Sequence, residues 1–176
     1  SLDVGHRAST PIDRGLPSSV AAGSFARGDD GGPEPGVTFV VTSAEDGGDA
    51  DAGDGICDAG SGTCTLRAAI QESNALPDKD TINFQIGSGV RRIILDAPLP
   101  LITEPIVIDG STQPGFVVRP LIMIDGSERA GYDGLVVGGG DSTISWLILG
   151  GFAKAIYLLN GDGNEVVGNW IGLNPT

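Results

Sequence analysis

A short extended phrase recurs along the second half of the chain and constrains the fold more than any other feature. The phrase Pro105-Ile-Val-Ile-Asp-Gly110 returns as Pro120-Leu-Ile-Met-Ile-Asp-Gly126. Further apolar runs, each ended by Gly, Asp or Asn, follow at residues 134–137, 144–149, 155–159 and 166–171. Short apolar runs bounded by such residues predict β-strands. Their repetition predicts a stack of strands wound into a solenoid.

The spacing of the later runs favours parallel stacking. Ile144 aligns with Val166 and Ile148 with Trp170, a shift of 22 residues that is near the length of one solenoid turn. The two Ile-Asp-Gly turns are 16 residues apart. The connections are too short and too rich in Gly and Asp for the helical crossovers of βαβ units. An antiparallel sandwich is the alternative, although hairpins have no reason to repeat one turn sequence.

Composition narrows the classes of function. The chain has 176 residues, of which 29 are glycine, and only 5% are aromatic, so the core must be aliphatic. The formal net charge is −13, which repels nucleic-acid phosphates and anionic membranes. Residues 144–159 are the nearest approach to a membrane span. They are too short, contain Lys154 and are interrupted by Gly150-Gly151, so we predict no transmembrane helix.

The chain divides at about residue 36. Residues 1–36 carry scattered Pro, Ser and Gly without apolar periodicity, and we interpret them as a flexible N-terminal arm or linker. The alternative is an arm that pairs with a neighbouring subunit. The chain starts at Ser1 without Met and shows no signal peptide, which we interpret as a mature or trimmed chain. Residues 37–176 form the predicted folded body.

The start of this body contains the one convincing helix of the sequence, at residues 65–76. Its predicted apolar face consists of residues at i, i+3, i+4 and i+7, namely Leu66, Ala69, Ile70 and Ser73. Thr65 can cap the helix and Pro77 ends it. Strands are predicted nearby, at residues 37–42, 80–86 and 91–95. A helix in this place is a natural lid over the open apolar end of a solenoid.

Two cysteines, Cys57 and Cys64, lie on either side of a small flexible loop, so their sulfurs can meet. A disulfide there would stabilise the fold by about 2–3 kcal/mol on the loop-entropy model. It would also indicate an oxidising compartment. Two free thiols are the alternative. A closed zinc site is excluded, because two cysteines do not suffice and the only histidine, His6, is remote.

An acidic loop at residues 43–63 is the best candidate for a ligand site. Four of its aspartates, Asp49, Asp51, Asp54 and Asp58, alternate with Gly and Ala. Calcium prefers hard oxygen ligands of this kind, so the loop is a candidate calcium site. The order of Asp and Gly does not follow the EF-hand pattern. A solvated acidic loop without a ligand is the alternative.

The first part of the body resembles the N-terminal region of CSLREA-type proteins, which are secreted bacterial right-handed parallel β-helix proteins. The resemblance rests on three motifs: Gly53-Asp-Gly-Ile-Cys-Asp58, Cys64-Thr-Leu-Arg-Ala-Ala-Ile-Gln-Glu-Ser-Asn-Ala75 and Asp80-Thr-Ile-Asn-Phe84. Two later phrases are similar to phrases common in this group: Ile108-Asp-Gly-Ser-Thr-Gln-Pro-Gly115 and Gly168-Asn-Trp-Ile-Gly172. The resemblance covers roughly residues 37–176. It implies an all-β, right-handed parallel β-helix with an N-terminal capping helix.

The sequence departs from the family signature at two positions. Thr65 replaces the family serine and keeps the capping hydroxyl, whereas Ala68 replaces the family glutamate. The loss of that glutamate removes the partner that would complete a capping box with Thr65. The family is mostly unassigned in function, and labels such as pectate-lyase-like or adhesin-like follow from its fold, which does not settle function.

Other residues in the predicted solenoid have both functional and structural interpretations. Trp146 and Trp170 can stack on sugar rings or fill the corners of the solenoid. Asp141 and Asp162 occupy similar turns and can pair for acid–base chemistry or cap those turns. The asparagines of the last turns can form side-chain ladders that bond to one another, a set that comprises Asn160, Asn164 and Asn169.

No catalytic constellation is readable, because the solenoid region has no histidine and its basic residues are scattered. We therefore predict a secreted or cell-surface structural or adhesive module. The final apolar run is followed by no closing element, which indicates either that the native chain continues or that this end stacks on another molecule. In the second case, the predicted arm and this end suggest head-to-tail self-association. The alternative is a carbohydrate-active, pectate-lyase-like enzyme or a polysaccharide-binding fragment. Calcium is the one cofactor that the sequence suggests.

Overall fold

The computed structural model describes residues 35–128 and 131–172. The predicted N-terminal arm, residues 1–36, therefore lies almost entirely outside the described residues. Within these ranges, one α-helix, α1, spans Leu66–Ala75, and a single 3₁₀ turn spans Gly110–Thr112. The described strands are β1 Thr38–Val41, β2 Asp80–Phe84, β3 Arg91–Ile94, β4 Ile106–Asp109, β5 Ile122–Asp125, β6 Leu135–Val137, β7 Thr143–Ser145, β8 Leu147–Gly150, β9 Ile156–Leu158, β10 Glu165–Val167 and β11 Trp170–Ile171.

The strands form three sheets in which all described pairs are parallel. The first sheet has the order β1-β2-β4-β7-β10, the second β11-β8-β5-β3, and the third β6-β9. Strands that follow one another from β4 onward belong to the first, second and third sheet in turn. This mainly β architecture agrees with the predicted class. An antiparallel sandwich of hairpins is excluded for the described strands.

The register of the last strands confirms the predicted shift of 22 residues. Val166 pairs with Ile144 in the first sheet, and Trp170 pairs with Ile148 in the second. The three strands predicted before the repeats are also present, each one or two residues shorter than predicted. Buried residues alternate with more exposed ones along β1 and β2, which explains why the sequence pattern predicts where these strands lie.

The repeated Ile-Asp-Gly phrase has a different origin from stacking. Its two copies end β4 and β5, which lie in different sheets and do not pair. Asp109 and Asp125 each accept a hydrogen bond from the backbone N–H two residues on, at 2.9 and 2.8 Å. The glycine that follows each aspartate has no room for a Cβ atom. The phrase therefore repeats because the same tight local turn closes two strands.

Helix α1 begins and ends as predicted. The Oγ1 atom of Thr65 accepts a hydrogen bond from Ala68 N at 3.1 Å, and Leu76 is already extended. The predicted apolar face is buried, together with Ala68 and Glu72. The apolar residues of this helix face join those of β1 and β2, such as Phe39 and Val41, in one hydrophobic core. The helix thus covers the core beside β1, the edge strand of the first sheet.

The second and third sheets complete the same core from their own buried residues. The fully buried members there include Ile93, Ile122, Ile124, Leu135 and Leu149. Aliphatic side chains of this kind fit a core with few aromatic residues. The part of the chain that the structure describes contains no helix with the length and apolar character needed to cross a bilayer.

Candidate functional site: acidic loop, groove and end face

Three aspartates of the acidic loop accept hydrogen bonds from backbone amides of the loop itself. Asp49 accepts hydrogen bonds from Asp51 N and Asp58 N, both at 2.9 Å. Asp54 accepts from Ile56 N at 2.8 Å. Asp58 accepts from the N–H groups of Gly60 and Gly62 at 2.8 and 3.0 Å. Apart from the bond from Asp58 N to Asp49, which spans nine residues, these bonds are local caps of turns, the usual role of aspartate in a Gly-rich loop.

The structure does not gather the four predicted aspartates, Asp49, Asp51, Asp54 and Asp58, into a metal centre. Residues 35–128 and 131–172 contain no group of three or more His, Cys, Asp or Glu side chains placed to hold a metal ion. Three of the four carboxylates, those of Asp49, Asp54 and Asp58, instead accept hydrogen bonds from backbone amides of the loop. The calcium interpretation therefore has no support from the geometry, and the loop has another organisation.

That organisation depends on α1. The carboxylate of Glu72 is buried and accepts hydrogen bonds from Gly53 N at 2.7 Å and Gly55 N at 2.9 Å. Gln71 Oε1 accepts from Asp49 N at 2.7 Å. Sequence reasoning missed Glu72, although a glutamate beside the apolar face of a short helix was a signal. Two helix residues thus hold three backbone amides of the loop.

An ion pair holds the start of the loop. The side chain of Asp46 is buried and pairs with Arg67, with 2.6 Å between Asp46 Oδ2 and Arg67 NH2. The same guanidinium donates to the carbonyl oxygens of Ala97 and Pro98 at 2.8 and 2.7 Å. Asp46 Oδ2 also accepts from Asp96 N at 2.8 Å. This network joins the loop, α1 and the segment after β3.

A disulfide between Cys57 and Cys64 closes the far side of the loop, with the two Cα atoms 5.1 Å apart. Of the two states that the sequence allowed, the structure therefore has the oxidised one. Cys64 is buried, and its carbonyl oxygen accepts from Thr42 N and Ser43 N at 2.9 and 3.0 Å. The disulfide thus fixes the residues that join β1 to the N-terminus of α1.

A polar groove of about 520 Å³ runs beside the loop. Acidic residues dominate its charged lining, with one arginine among them: Glu45, Asp46, Asp96, Glu128 and Arg92. Arg92 forms an ion pair with the buried carboxylate of Asp125. Burial opposes the ionisation of Asp125, but the hydrogen bonds from Ser127 and the pairing with Arg92 outweigh it and lower its pKa.

A second buried carboxyl group, that of Asp80, lies where β2 begins. Its Oδ1 atom accepts from Val37 N at 2.7 Å, whereas Oδ2 has no hydrogen-bond partner among the described residues. Burial raises the pKa of Asp80, and the hydrogen bond from Val37 only partly offsets that effect. Asp80 is fully buried, so we assign it to the fold.

The two tryptophans have different surroundings. Trp146 is half-buried, meets Phe116 edge to face at 5.2 Å between ring centroids, and packs over Gly168. Its ring is therefore partly covered by protein. Trp170 is 44% exposed and lines a groove of about 640 Å³ with Val117 and Arg119. Of the two sugar-stacking candidates, Trp170 is the more exposed.

The two turns that carry the predicted carboxylate pair, Asp141 and Asp162, contact each other through their backbones. Asp141 N donates to the carbonyl oxygen of Asp162 at 2.8 Å.

The prediction that the asparagine side chains bond to one another is wrong in its partners. Asn164 Oδ1 accepts from Ser142 N, and Asn169 Oδ1 accepts from Leu147 N, each 22 residues earlier in the chain. The asparagine side chains bond to the backbone where β7 and β8 begin, because these strand ends leave N–H groups without a sheet partner.

The last strand of each sheet presents an apolar surface, which we call the end face. It belongs to β9, β10, β11 and the residue after β9, and its members are 41–54% exposed: Leu158, Leu159, Val166, Val167, Trp170 and Ile171. Their registered partners one strand inward are buried. Ile171 is 54% exposed and pairs with Leu149, which is fully buried. One more layer of strands would therefore bury the end face as the present layer buries its neighbour.

The opposite side of the strand stack differs from the end face. There α1 covers β1, and the helix residues Ala69 and Ile70 are fully buried against the core that contains Phe39. One end of the core is thus covered by a helix, whereas no element among the described residues covers the row of strands at the other end. Uncovered strand edges of this kind are templates for further pairing.

Comparison with known proteins adds no assignment. No family model matches the chain, no curated protein matches it, and no solved structure matches it. Function must therefore be argued from the loop, the grooves and the end face.

Proposed function

We propose that the body of this chain is a right-handed parallel β-helix capped by α1, and that it serves as a structural or adhesive module outside the cell. The order in which the chain enters its three parallel sheets supports the winding. The 22-residue register supports a regular final turn. The CSLREA-type resemblance, carried by residues 53–84, remains the proposed family relationship and implies the same winding.

An extracellular location is proposed from the disulfide. A disulfide persists in oxidising compartments and is rare in the cytosol. The Cys57–Cys64 pair closes a loop that is also held by Glu72 and Asp46, so its role here is structural. A structural role for the module is further supported by the way the loop carboxylates serve backbone amides and an ion pair.

The single observation that carries the proposed activity is the end face. We propose that it associates with a second copy of the chain. Burying six half-exposed apolar side chains contributes about 1 kcal/mol each, roughly half the value for full burial. Association costs several kcal/mol or more, so the net affinity is weak. The charge of −13 on each copy also opposes contact, and salt screens that repulsion.

The end of the strand stack that α1 covers determines which assembly geometry the end face can form. A head-to-tail stack would place an end face on α1, whose apolar side is already buried. Two end faces that meet around a two-fold axis bury the same apolar surface twice and close the assembly. A closed dimer is therefore the proposed form. The head-to-tail filament suggested by the sequence is the alternative.

Sedimentation equilibrium over a wide concentration range, at low and high salt, tests the proposal. We expect a monomer–dimer equilibrium that strengthens with salt. Ile171→Lys should abolish it. Ile56→Lys is the matched control, because Ile56 is 64% exposed and lies in the acidic loop. Species larger than a dimer would support the filament. A monomer at every concentration and salt level would refute association through the end face.

Polysaccharide binding is the second candidate, favoured by the groove that Trp170 lines. Arg119 lines the same groove and supplies a positive charge to an otherwise apolar lining that includes Val117 and Val118. An acidic sugar that stacks on the indole would fit this combination. Titration with an acidic oligosaccharide should quench tryptophan fluorescence, and Trp170→Phe should remove the quench. An equal quench in that variant would reject the groove.

A further inference from the structure

The turn between β9 and β10 contains the dipeptide Asn160-Gly161, the only Asn-Gly pair in the sequence. Both residues are exposed. Gly161 has a positive φ of 82°, so the turn uses the conformational freedom that glycine provides. An exposed asparagine followed by glycine is chemically reactive, because a residue without a side chain leaves its backbone nitrogen open to the asparagine side chain.

The reaction requires only water. The backbone nitrogen of Gly161 attacks the side-chain carbonyl carbon of Asn160, a new C–N bond closes a five-membered succinimide, and the amide nitrogen leaves as ammonia. Water then opens the ring at either carbonyl. Opening at one carbonyl gives aspartate, and opening at the other gives isoaspartate, in which the main chain runs through the former side chain. No oxidant, reductant or enzyme takes part.

The surroundings of this pair leave both reacting groups available. Among the described residues, the Asn160 side chain forms no hydrogen bond, and the Gly161 N–H donates none. Two other asparagines of the region are held: Asn164 by Ser142 N and Asn169 by Leu147 N. Those two are also followed by Glu165 and Trp170, whose side chains hinder the attack.

We propose that Asn160 is a site of spontaneous deamidation and isomerisation in this protein. The consequence follows from close packing of the turn. A Cβ atom on Gly161 would lie 2.6 Å from the Cα of Gly140, so the backbone there has no spare room. The N–H of Asp141 also donates to Asp162 O at 2.8 Å across the same contact.

The two products therefore differ in their effect. Aspartate adds one negative charge at an exposed position and keeps the length of the main chain. Isoaspartate inserts one extra carbon into the main chain beside the contact with Gly140. We expect that insertion to displace Asp162 and break its bond with Asp141. The last layer of strands would then be loosened next to the end face.

Prolonged incubation of the folded chain at mildly alkaline pH tests this proposal. Peptide mapping by mass spectrometry should locate the deamidation mass gain at Asn160, severalfold faster than at Asn164 or Asn169. Asn160→Gln should remove this fast phase and keep the circular dichroism spectrum. The proposal would be overturned if Asn160 reacted no faster than the other two asparagines in the folded chain.

Hydrogen exchange supplies the second readout. After the isoaspartate and aspartate products are separated, the Asp141 amide should exchange severalfold faster in the isoaspartate product than in the unmodified chain. The aspartate product should exchange at the unmodified rate. Equal protection of Asp141 in all three species would refute the proposed structural consequence of isomerisation.

Discussion

Replacing Glu72 tests whether α1 organises the acidic loop. Glu72→Gln keeps the shape of the side chain but leaves one acceptor oxygen where the carboxylate has two. In the native chain those two oxygens accept from Gly53 N and Gly55 N. In the variant, one of the two amides must face an NH₂ group that can only donate. One loop amide therefore loses its partner, and the other loses its charged acceptor.

The expected cost follows from these two bonds. A hydrogen bond to a charged group contributes about 1.5–3 kcal/mol, and a neutral one about 1 kcal/mol. The loop amides are only partly buried, so water can replace part of what is lost. We therefore expect Glu72→Gln to lower the free energy of unfolding by about 2–3 kcal/mol, from loss of one bond and weakening of the other.

Urea denaturation, followed by circular dichroism with the disulfide intact, measures this quantity. Glu45→Gln is the matched control, because Glu45 lies in the same loop, is exposed and loses the same charge. We expect the control to change stability by less than about 0.5 kcal/mol. Limited proteolysis of the folded variants supplies a second reading, and the Glu72 variant should be cut earlier within residues 43–63.

The reasoning would be refuted if Glu72→Gln and Glu45→Gln had the same stability within error. Such a result would mean that the ion pair of Asp46 and the disulfide hold the loop without help from Glu72. A different part of the reasoning would be wrong if Glu72→Gln were cleaved faster but had the same free energy of unfolding as the native chain. In that case the loop would open independently of the core, and the cost should not be assigned to global unfolding.

Three further predictions test the buried acid, a close backbone contact and an asparagine bridge. Because burial raises the pKa of Asp80, the folded chain keeps a proton that the unfolded chain loses as pH rises above 3.8. The free energy of unfolding should therefore fall as pH rises from 3.8 towards the folded pKa. Asp80→Asn should remove this slope in urea titrations across acidic pH. Gly168→Ala should lower the melting temperature more than Gly172→Ala, since both positions have positive φ but only Gly168 would place a Cβ atom 2.8 Å from the Trp146 ring; equal losses would refute the contact. Asn169→Ala removes one acceptor for Leu147 N of β8 and one donor to the carbonyl oxygen of Ile144 in β7, and it should cost about 1–3 kcal/mol in chemical denaturation.

Some features of this chain were predictable because they depend on local pattern. The cap at Thr65 and the stop at Pro77 depend on neighbouring residues, and both ends of α1 follow from them. The 22-residue register was readable because parallel strands place equivalent apolar residues over one another. The register thus appears in sequence as the alignment of Ile144 with Val166.

Other features were not predictable, because their partners are distant in sequence or because one pattern fits two structures. The Ile-Asp-Gly repeat resembles a stacking signal, yet Asp109 and Asp125 close equivalent turns in different sheets. The four loop aspartates have the composition of a calcium site, yet the carboxylates of Asp49, Asp54 and Asp58 accept hydrogen bonds from backbone amides of the loop. Composition does not specify the direction of a side chain.

The sequence by itself determined the class of structure: short aliphatic strands, tight Asp-Gly turns, one capped helix and an acidic surface. These properties follow from periodicity, glycine content and charge, which any fold of the chain must accommodate. Only the tertiary structure decided which groups meet, such as Glu72 with the loop amides, and which apolar residues remain uncovered, such as Ile171. Burial depends on what lies one layer away, and that layer is distant along the chain.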